Sequence, residues 1–175
     1  NMYSPKLATS ETMVDEVWKG QFYANLDVAV QAKFDGCRML LAYDPEKGFG
    51  FYSRNRSVTD FLMGNYTDQI KGFERPNFVG TFKKSFVLDC EITCDNKDLM
   101  VEMGAESILG AMVAVLALNR EDSWRMQDRF KGAISLNVFD CVMFDWRSCM
   151  NLPYEKRDLL AQKLCARIAE GAQQS

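Results

Sequence analysis

The residues best suited to chemistry are a lysine, an aspartate, a glycine and an arginine at fixed spacing, Lys33-x-Asp35-Gly36-x-Arg38. Apolar residues stand on both sides, so a strand would deliver the lysine and Asp35-Gly36 would form a turn. A lysine with the reference pKa of about 10.4 is almost fully protonated at pH 7, and a neighbouring cation such as Arg38 would lower that pKa. The pattern indicates a reactive lysine nucleophile. The alternative is a surface hairpin with two solvated charges.

A second candidate group is a pair of carboxylates, Asp89 and Glu91, within the apolar segment 86–92. Successive residues of a strand point to opposite faces, so these two side chains would share one face. Two acids on an otherwise apolar strand repel each other and resist burial. They would need a cation, a metal ion or a sugar hydroxyl, unless this face of the strand is simply solvated.

Two arginines near the end of a predicted strand form a third group, in the sequence Ser53-Arg54-Asn55-Arg56. Arginine forks bind phosphate and carboxylate groups well, so the segment would suit an anion. Taken alone, the segment is better interpreted as an exposed basic loop.

Composition limits the possible chemistry. The chain has 175 residues, enough for one domain with a core, and it contains no histidine. Histidine bases, Ser-His and Cys-His dyads and histidine metal ligands are therefore excluded. Any metal ion would be held by oxygen atoms, which favours magnesium or manganese. The net charge of −3 means that a nucleic-acid partner would need a local basic patch.

Six cysteines, several of them inside apolar runs, show no pairing at zinc-site spacing. We expect reduced thiols and an intracellular, cytoplasmic or nuclear location. The first residues do not have the pattern of a signal peptide. The most apolar segment, residues 108–118, is too short to span a bilayer and predicts a buried helix, so no membrane partner is expected.

The elements that would position these groups alternate between short strands and helices, which predicts an α+β fold. Residues 39–43 and 50–52 predict a hairpin, and residues 86–92 and 133–144 predict buried strands. Helices are predicted over residues 59–73, over most of 99–118, and from about residue 151 to a stop at Gly171. The charged segment 119–131 predicts a loop or an exposed element.

Taken together, the motifs resemble the covalent nucleotidyltransferase superfamily, and most closely an ATP-dependent DNA ligase. The motifs that carry the resemblance stand in the order found in that family: Ser4-Pro5-Lys6-Leu7-Ala8, Lys33-x-Asp35-Gly36-x-Arg38, Ser53-Arg54-Asn55, Leu88-Asp89-Cys90-Glu91, Phe139-Asp140 and the run 152–160. Cys90 stands where the family usually has glycine.

The resemblance implies that Lys33 is the catalytic residue that forms a lysyl-AMP intermediate. Arg38 and Arg54 would hold the phosphate and ribose of ATP, and Glu91 would contact the ribose or a metal ion. Phe139 would stack on the adenine, and Gln31 would hydrogen-bond the adenine edge, with Ala32 beside it in the cofactor site.

The resemblance also implies two mainly antiparallel sheets flanked by helices, with the nucleotide in the cleft between them. The cofactors would be ATP and Mg²⁺, with Mn²⁺ as a substitute, and the partner would be nicked duplex DNA. We expect a monomer that acts in DNA repair, replication or recombination.

Residues 1–175 would form a single adenylation domain that is C-terminally incomplete, because two later motifs of the family, an acidic-glycine strand and a Lys-x-Lys strand, are not found. Two alternatives stay open. An RNA ligase or an mRNA guanylyltransferase would share most of these motifs. A non-catalytic fragment would bind nucleic-acid backbone through basic side chains, here Arg54, Arg56, Lys83 and Lys84.

Overall fold

A computed structural model of the chain describes residue 31 and residues 34–56, 63–74, 78 and 80–172, with the backbone alone at 54–56. The strands are Cys37–Asp44 (β1), Gly48–Arg56 (β2), Met63–Asn65 (β3), Phe86–Thr93 (β4), Ser135–Phe144 (β5) and Arg147–Ser148 (β6). The helices are Lys97–Glu102 (α1), Ile108–Leu116 (α2), Arg120–Arg129 (α3) and Tyr154–Ala172 (α4).

The described strands form one six-stranded sheet in the order β3-β2-β1-β4-β5-β6. Every neighbouring pair is antiparallel. The sheet and the helices that pack on it confirm the predicted α+β class. Within the part of the chain that is described, no helix is long and apolar enough to cross a membrane.

The predicted hairpin is confirmed by β1 and β2, which pair from Met39 to Asp44. Its turn is held by the carboxylate of Asp44, which accepts hydrogen bonds from the backbone N–H groups of Glu46 (2.8 Å) and Lys47 (3.0 Å). Gly48 closes the turn with a φ of +86°, a conformation that L side chains rarely adopt. The local sequence therefore fixes the register of the two strands.

The hydrophobic core lies on one face of the sheet. In β4 the residues Phe86, Leu88, Cys90 and Ile92 are fully buried in it, at every second position of the strand. The same cluster takes in residues from three helices and the neighbouring strands, among them Leu41, Phe51, Leu99, Met112, Val115, Leu164 and Ile168. This alternation sends the intervening side chains of β4 to the other face.

The helix predicted over residues 59–73 is wrong for the residues described. Residues 63–65 form β3, and a turn follows. The residues after β3 instead form hydrogen bonds with Phe51 of β2. The carbonyl of Phe51 accepts from the N–H of Tyr66 (2.9 Å), and the N–H of Phe51 donates to Thr67 Oγ1 (3.0 Å). Pairing with a distant strand therefore overrides the helical spacing of the apolar residues.

Two further boundaries differ from the prediction. The helix expected over residues 99–118 is divided into α1 and α2, because Gly104 adopts a φ of +59° and Ser107 caps α2 by accepting from the N–H of Gly110. The segment 119–131, expected as a loop or an exposed element, contains α3, which begins at the cap Asn119. The segment is polar and the contacts of α3 are mostly hydrogen bonds, so the sequence lacks the hydrophobic spacing that indicates a helix.

Two further predicted segments are found as β5 and α4. The strand predicted over residues 133–144 is confirmed as β5, but the predicted burial holds only for Cys141 and Val142, and its other residues are partly buried. The stop predicted at Gly171 lies one residue before Ala172, where α4 ends in the described part of the chain. A Cβ atom at Gly171 would lie 2.6 Å from the ring of Phe78, so the glycine serves close packing.

Candidate functional site

The polar face of the sheet lies opposite the core and contains Arg38 of β1, Asp89, Glu91 and Thr93 of β4, and Asn137 of β5. Arg38 stands opposite Glu91 in the strand register, and Glu91 stands opposite Asn137. Asn137 donates a hydrogen bond to Thr93 Oγ1 at 3.0 Å, which links β4 to β5 on this face. The strands thus bring together side chains that are about 50 residues apart in the sequence.

Arg38 and Asp89 form a two-point ion pair. Arg38 Nε donates to Asp89 Oδ1 at 2.9 Å, and Nη2 donates to Oδ2 at 2.7 Å. Asp89 is 1% exposed, so its charge is stable there because the guanidinium neutralises it. The paired carboxylates were expected to need a cation. For Asp89, that cation is Arg38, the arginine of the lysine motif. This pair also fixes the direction in which the Arg38 guanidinium points.

Glu91 holds the turn of the lysine motif. The backbone N–H of Gly36 donates to Glu91 Oε1 at 3.0 Å. A Cβ atom at Gly36 would lie 2.2 Å from the carbonyl oxygen of Ile92, so only glycine allows this approach. Lys33 and Ala32 lie outside the described residues. Gly36, three residues after Lys33 in the sequence, is attached directly to β4 through Glu91.

Gln31 and Phe139 are also brought together. Gln31 Nε2 donates to the backbone carbonyl of Phe139 at 2.9 Å and to the phenol oxygen of Tyr154. The ring of Phe139 lies beside that of Phe34, with centroids 6.0 Å apart and planes inclined by 30°. Two residues expected to meet the same nucleobase are therefore neighbours, and an aromatic surface lies beside an amide.

The first turn of α4 is attached to β5 behind these residues. Arg157 Nε donates to both carboxylate oxygens of Asp140, at 2.9 and 3.1 Å, and both side chains are 15% exposed. Arg157 Nη1 also donates to the carbonyl of Leu152 at 2.9 Å. Burial raises the pKa of the nearby Tyr154, and the negative charges of Asp158 and Asp140 raise it further.

Cys90 points away from the polar face. Its side chain is fully buried in the core, and its Sγ contacts the carbonyl of Met39 at 3.2 Å. Burial, with the charge of Asp89 as a smaller cause, raises the pKa of the thiol. The cysteine at the family's glycine position therefore leaves the space around Asp89 and Glu91 unchanged.

The remaining predicted site residue is Arg54, whose backbone belongs to β2 and whose side chain is not described. The preceding Ser53 accepts a hydrogen bond from the N–H of Gly64 at 2.8 Å, which attaches β3 to this strand. Of the basic residues in the alternative interpretation, Lys84 forms an ion pair with Asp145 at 2.7 Å. Among the described residues, no group of three or more acidic or cysteine side chains could hold a metal ion.

Several contacts of the site were not foreseen from the sequence, among them the partner of Asp89, the partner of Asp140, the hydrogen bond between Gly36 and Glu91, and the contact of Tyr154 with Gln31. The carboxylate within each of the two apolar strands could have indicated an ion pair, because a buried carboxylate requires a cation. Which arginine supplies it depends on strand register and helix docking. The contact of Tyr154 had no signal in the sequence pattern.

A family model described as ATP dependent DNA ligase domain matches residues 5–174 of the chain. No curated protein matches the chain at a significant level.

Proposed function

The chain belongs to the ATP-dependent DNA ligase domain family, and from that membership we propose that it transfers AMP from ATP, through Lys33, to nicked DNA. The match extends over nearly the whole sequence. It includes every motif discussed above except the first residue of the Ser4–Ala8 segment.

In the proposed reaction, the neutral Lys33 amine attacks the α-phosphorus of ATP. A nitrogen–phosphorus bond forms while the bond to the bridging oxygen breaks, and pyrophosphate leaves. A 5′-phosphate oxygen at the nick then attacks the same phosphorus and releases the lysine. Finally the 3′-hydroxyl attacks the 5′-phosphorus, a phosphodiester bond forms and AMP leaves. No external energy source beyond ATP is needed.

The observation that carries the proposal is the hydrogen bond from Gly36 to Glu91. It attaches Gly36, three residues after Lys33 in the sequence, to the second carboxylate on β4, so the proposed nucleophile and this acid would lie in one site. Positioning of this kind supplies much of the catalysis in phosphoryl transfer, where the protein performs little covalent chemistry itself.

The other predicted site residues take roles around this centre. Gln31 and Phe139, which are in contact, would bind the base, with Ala32 between Gln31 and the nucleophile. Arg38 and Arg54 would bind the ribose and phosphates. Two N–H groups of Arg38 donate to Asp89, and this ion pair would hold the guanidinium in one orientation toward a ligand.

Magnesium, or manganese in its place, would be held by Glu91 together with phosphate oxygens and water. This assignment fits the donor set, because magnesium is usually bound by one or two carboxylates plus substrate phosphates and not by a protein cage. When bound, the ion would neutralise charge on the phosphate oxygens. Glu91 Oε1 would meanwhile keep the turn in place through Gly36.

The test is intact mass spectrometry after incubation with ATP and magnesium, with Lys33→Ala as the matched variant. We expect a mass gain equal to AMP in the natural chain and none in the variant. Equal gains in both would show that another residue is the nucleophile. No gain in either, with both chains folded, would contradict the proposed chemistry of this domain.

The nucleic-acid partner is a separate part of the proposal. We propose nicked duplex DNA, a single adenylation domain over residues 1–175 and action as a monomer. Incubating the AMP-charged chain with nicked DNA and with nicked RNA compares the two partners directly. Transfer of AMP to the RNA alone would favour the RNA ligase alternative, and charging by GTP in preference to ATP would favour the guanylyltransferase.

A further inference from the structure

The side-chain amide of Gln31 has only one orientation that satisfies its neighbours. A backbone carbonyl accepts hydrogen bonds and cannot donate, so the group of Gln31 that faces the carbonyl of Phe139 must be the NH₂ group. The second N–H of that group is directed at the oxygen of Tyr154. Both donors of Gln31 are therefore in use, and its remaining hydrogen-bonding atom is the acceptor Oε1.

Tyr154 can accept from Gln31 because a phenol oxygen accepts hydrogen bonds as well as donating one. Burial, followed by the negative charges of Asp158 and Asp140, raises the pKa of the phenol, so Tyr154 keeps its proton at neutral pH. The hydroxyl is therefore an uncharged partner for the Gln31 amide.

The tyrosine stands on a part of α4 that is firmly attached. Arg157 binds Asp140 of β5 through both carboxylate oxygens, and its guanidinium lies 5.7 Å from the centre of the Tyr154 ring. Phe139, whose carbonyl receives the other N–H of Gln31, precedes Asp140 in the same strand. Both partners of the amide are therefore supported by one strand–helix contact.

We propose that Tyr154 is a positioning residue for base selection: by holding the Gln31 amide with Oε1 outward, it makes the site prefer 6-aminopurine nucleotides over 6-oxopurine nucleotides. This inference rests on the proposed function and adds a residue to it. A 6-amino group would donate to Oε1. A 6-oxo group would place oxygen against oxygen, and turning the amide to suit it would break both hydrogen bonds.

Three nucleoside triphosphates test the proposal by equilibrium binding, without need of turnover: ATP, inosine triphosphate and the 2,6-diaminopurine analogue. We expect the natural chain to bind both 6-amino nucleotides about tenfold more tightly than inosine triphosphate, the ratio given by one well-placed hydrogen bond. Tyr154→Phe keeps the ring and removes the hydroxyl. We expect it to lower the ratio several-fold, chiefly by weakening the binding of ATP.

The matched control is Tyr66→Phe, because Tyr66 follows β3 at the opposite edge of the sheet. It should leave the ratio unchanged. Gln31→Leu removes the acceptor and should bring the ratio close to one, which keeps the proposal testable even if Tyr154→Phe folds poorly. Thermal unfolding of each variant separates loss of selectivity from loss of structure.

The outcomes distinguish this inference from the proposed function. If ATP binds and Tyr154→Phe or Gln31→Leu keeps the full ratio, the role of Tyr154 is overturned while nucleotide binding stands. If the natural chain binds no nucleotide, the inference and the proposed function both fail. A ratio that falls in Tyr154→Phe and holds in Tyr66→Phe supports the inference.

Discussion

At the scale of single residues, the ion pair of Arg38 and Asp89 decides how charge is distributed on the polar face. Asp89 is buried and receives two hydrogen bonds from the guanidinium. The acid next to it on this face, Glu91, binds the N–H of Gly36. The two carboxylates therefore have different tasks. Asp89 orients an arginine, and Glu91 anchors the turn that follows Lys33.

Removing the arginine should reveal what the pair contributes to stability. Arg38→Ala leaves the Asp89 carboxylate buried without this partner, so we expect the free energy of unfolding to fall by about 3 kcal/mol. The double variant Arg38→Ala with Asp89→Asn carries no such charge and should recover part of that loss. Urea unfolding of the four chains measures the coupling. Losses that simply add would show that the pair does not act as a unit.

Gly36 should tolerate no larger side chain. In Gly36→Ala the new Cβ would meet the carbonyl of Ile92, so the turn must move and its hydrogen bond to Glu91 must lengthen or break. We expect AMP charging to fall by about 100-fold, as for a nucleophile displaced by about 1 Å. The rate of charging, measured by intact mass over time, checks this.

The matched variant is Glu91→Gln, which retains an oxygen that can accept from Gly36 and removes the charge. It should therefore keep the natural thermal stability, whereas Gly36→Ala should lower it. If Gly36→Ala charges at the natural rate, the attachment of the turn to β4 is unimportant for the nucleophile.

The identities of these residues could be predicted from the sequence, but their contacts could not. The spacing of Lys33, Asp35, Gly36 and Arg38 is local, as is the alternation that puts Asp89 and Glu91 on one face. The pairing of Arg38 with Asp89 depends on the register of β1 against β4, which joins residues 51 positions apart. Local patterns contain no such information.

At the scale of elements, α3 shows how a helix with few apolar residues is held in place. Its side chains bind the backbone of the turn that follows β3. Trp124 Nε1 donates to the carbonyl of Asp68 (2.9 Å), while Ser123 Oγ (2.8 Å) and Gln127 Nε2 (2.6 Å) donate to that of Gln69. The turn and the helix thus satisfy each other's polar groups.

Among the residues of α3, Gln127 should contribute most to the free energy of unfolding. Its amide donates to the carbonyl of Gln69 and accepts from the N–H of Lys71, so Gln127→Ala leaves two backbone groups without these partners. We expect a loss of about 1–3 kcal/mol in the free energy of unfolding. Arg125→Ala, on the exposed side of the same helix, should cost less than about 1 kcal/mol. Equal losses of unfolding free energy in the two variants, measured by denaturant unfolding, would contradict this role of the Gln127 side chain.

The same elements show where sequence patterns fail. β4 and β5 were predicted because their apolar runs are long and continuous, which requires no knowledge of partners. β3 was missed, since residues 63–65 become a strand only by pairing with β2. α3 was not recognised as a helix because its contacts are hydrogen bonds to a distant turn, and hydrophobic spacing contains no trace of them.

At the scale of the whole molecule, the six cysteines are all free, as expected for reduced thiols. Four of them are buried, and Cys90 and Cys141 are completely inaccessible. Burial raises the pKa of Cys141 to about 12, and it raises that of Cys90 from the ordinary value of 9.0. In the folded chain these thiols thus remain neutral under alkaline conditions in which unfolded thiols ionise.

This difference predicts a loss of stability at alkaline pH. Because the folded pKa is raised, the unfolded chain loses these protons first, so the contribution is complete below pH 9 and declines as pH rises above it. For Cys90 alone, the free energy of unfolding should fall by about 1 kcal/mol between pH 9 and pH 10. Cys90→Ala has no thiol at this position, so its free energy of unfolding lacks this pH-dependent contribution. The other effects of the substitution are the same at every pH. The difference in unfolding free energy between the natural chain and the variant, measured by denaturant unfolding, should therefore narrow by that amount from pH 9 to pH 10, and a constant difference would contradict the buried thiol's part in it.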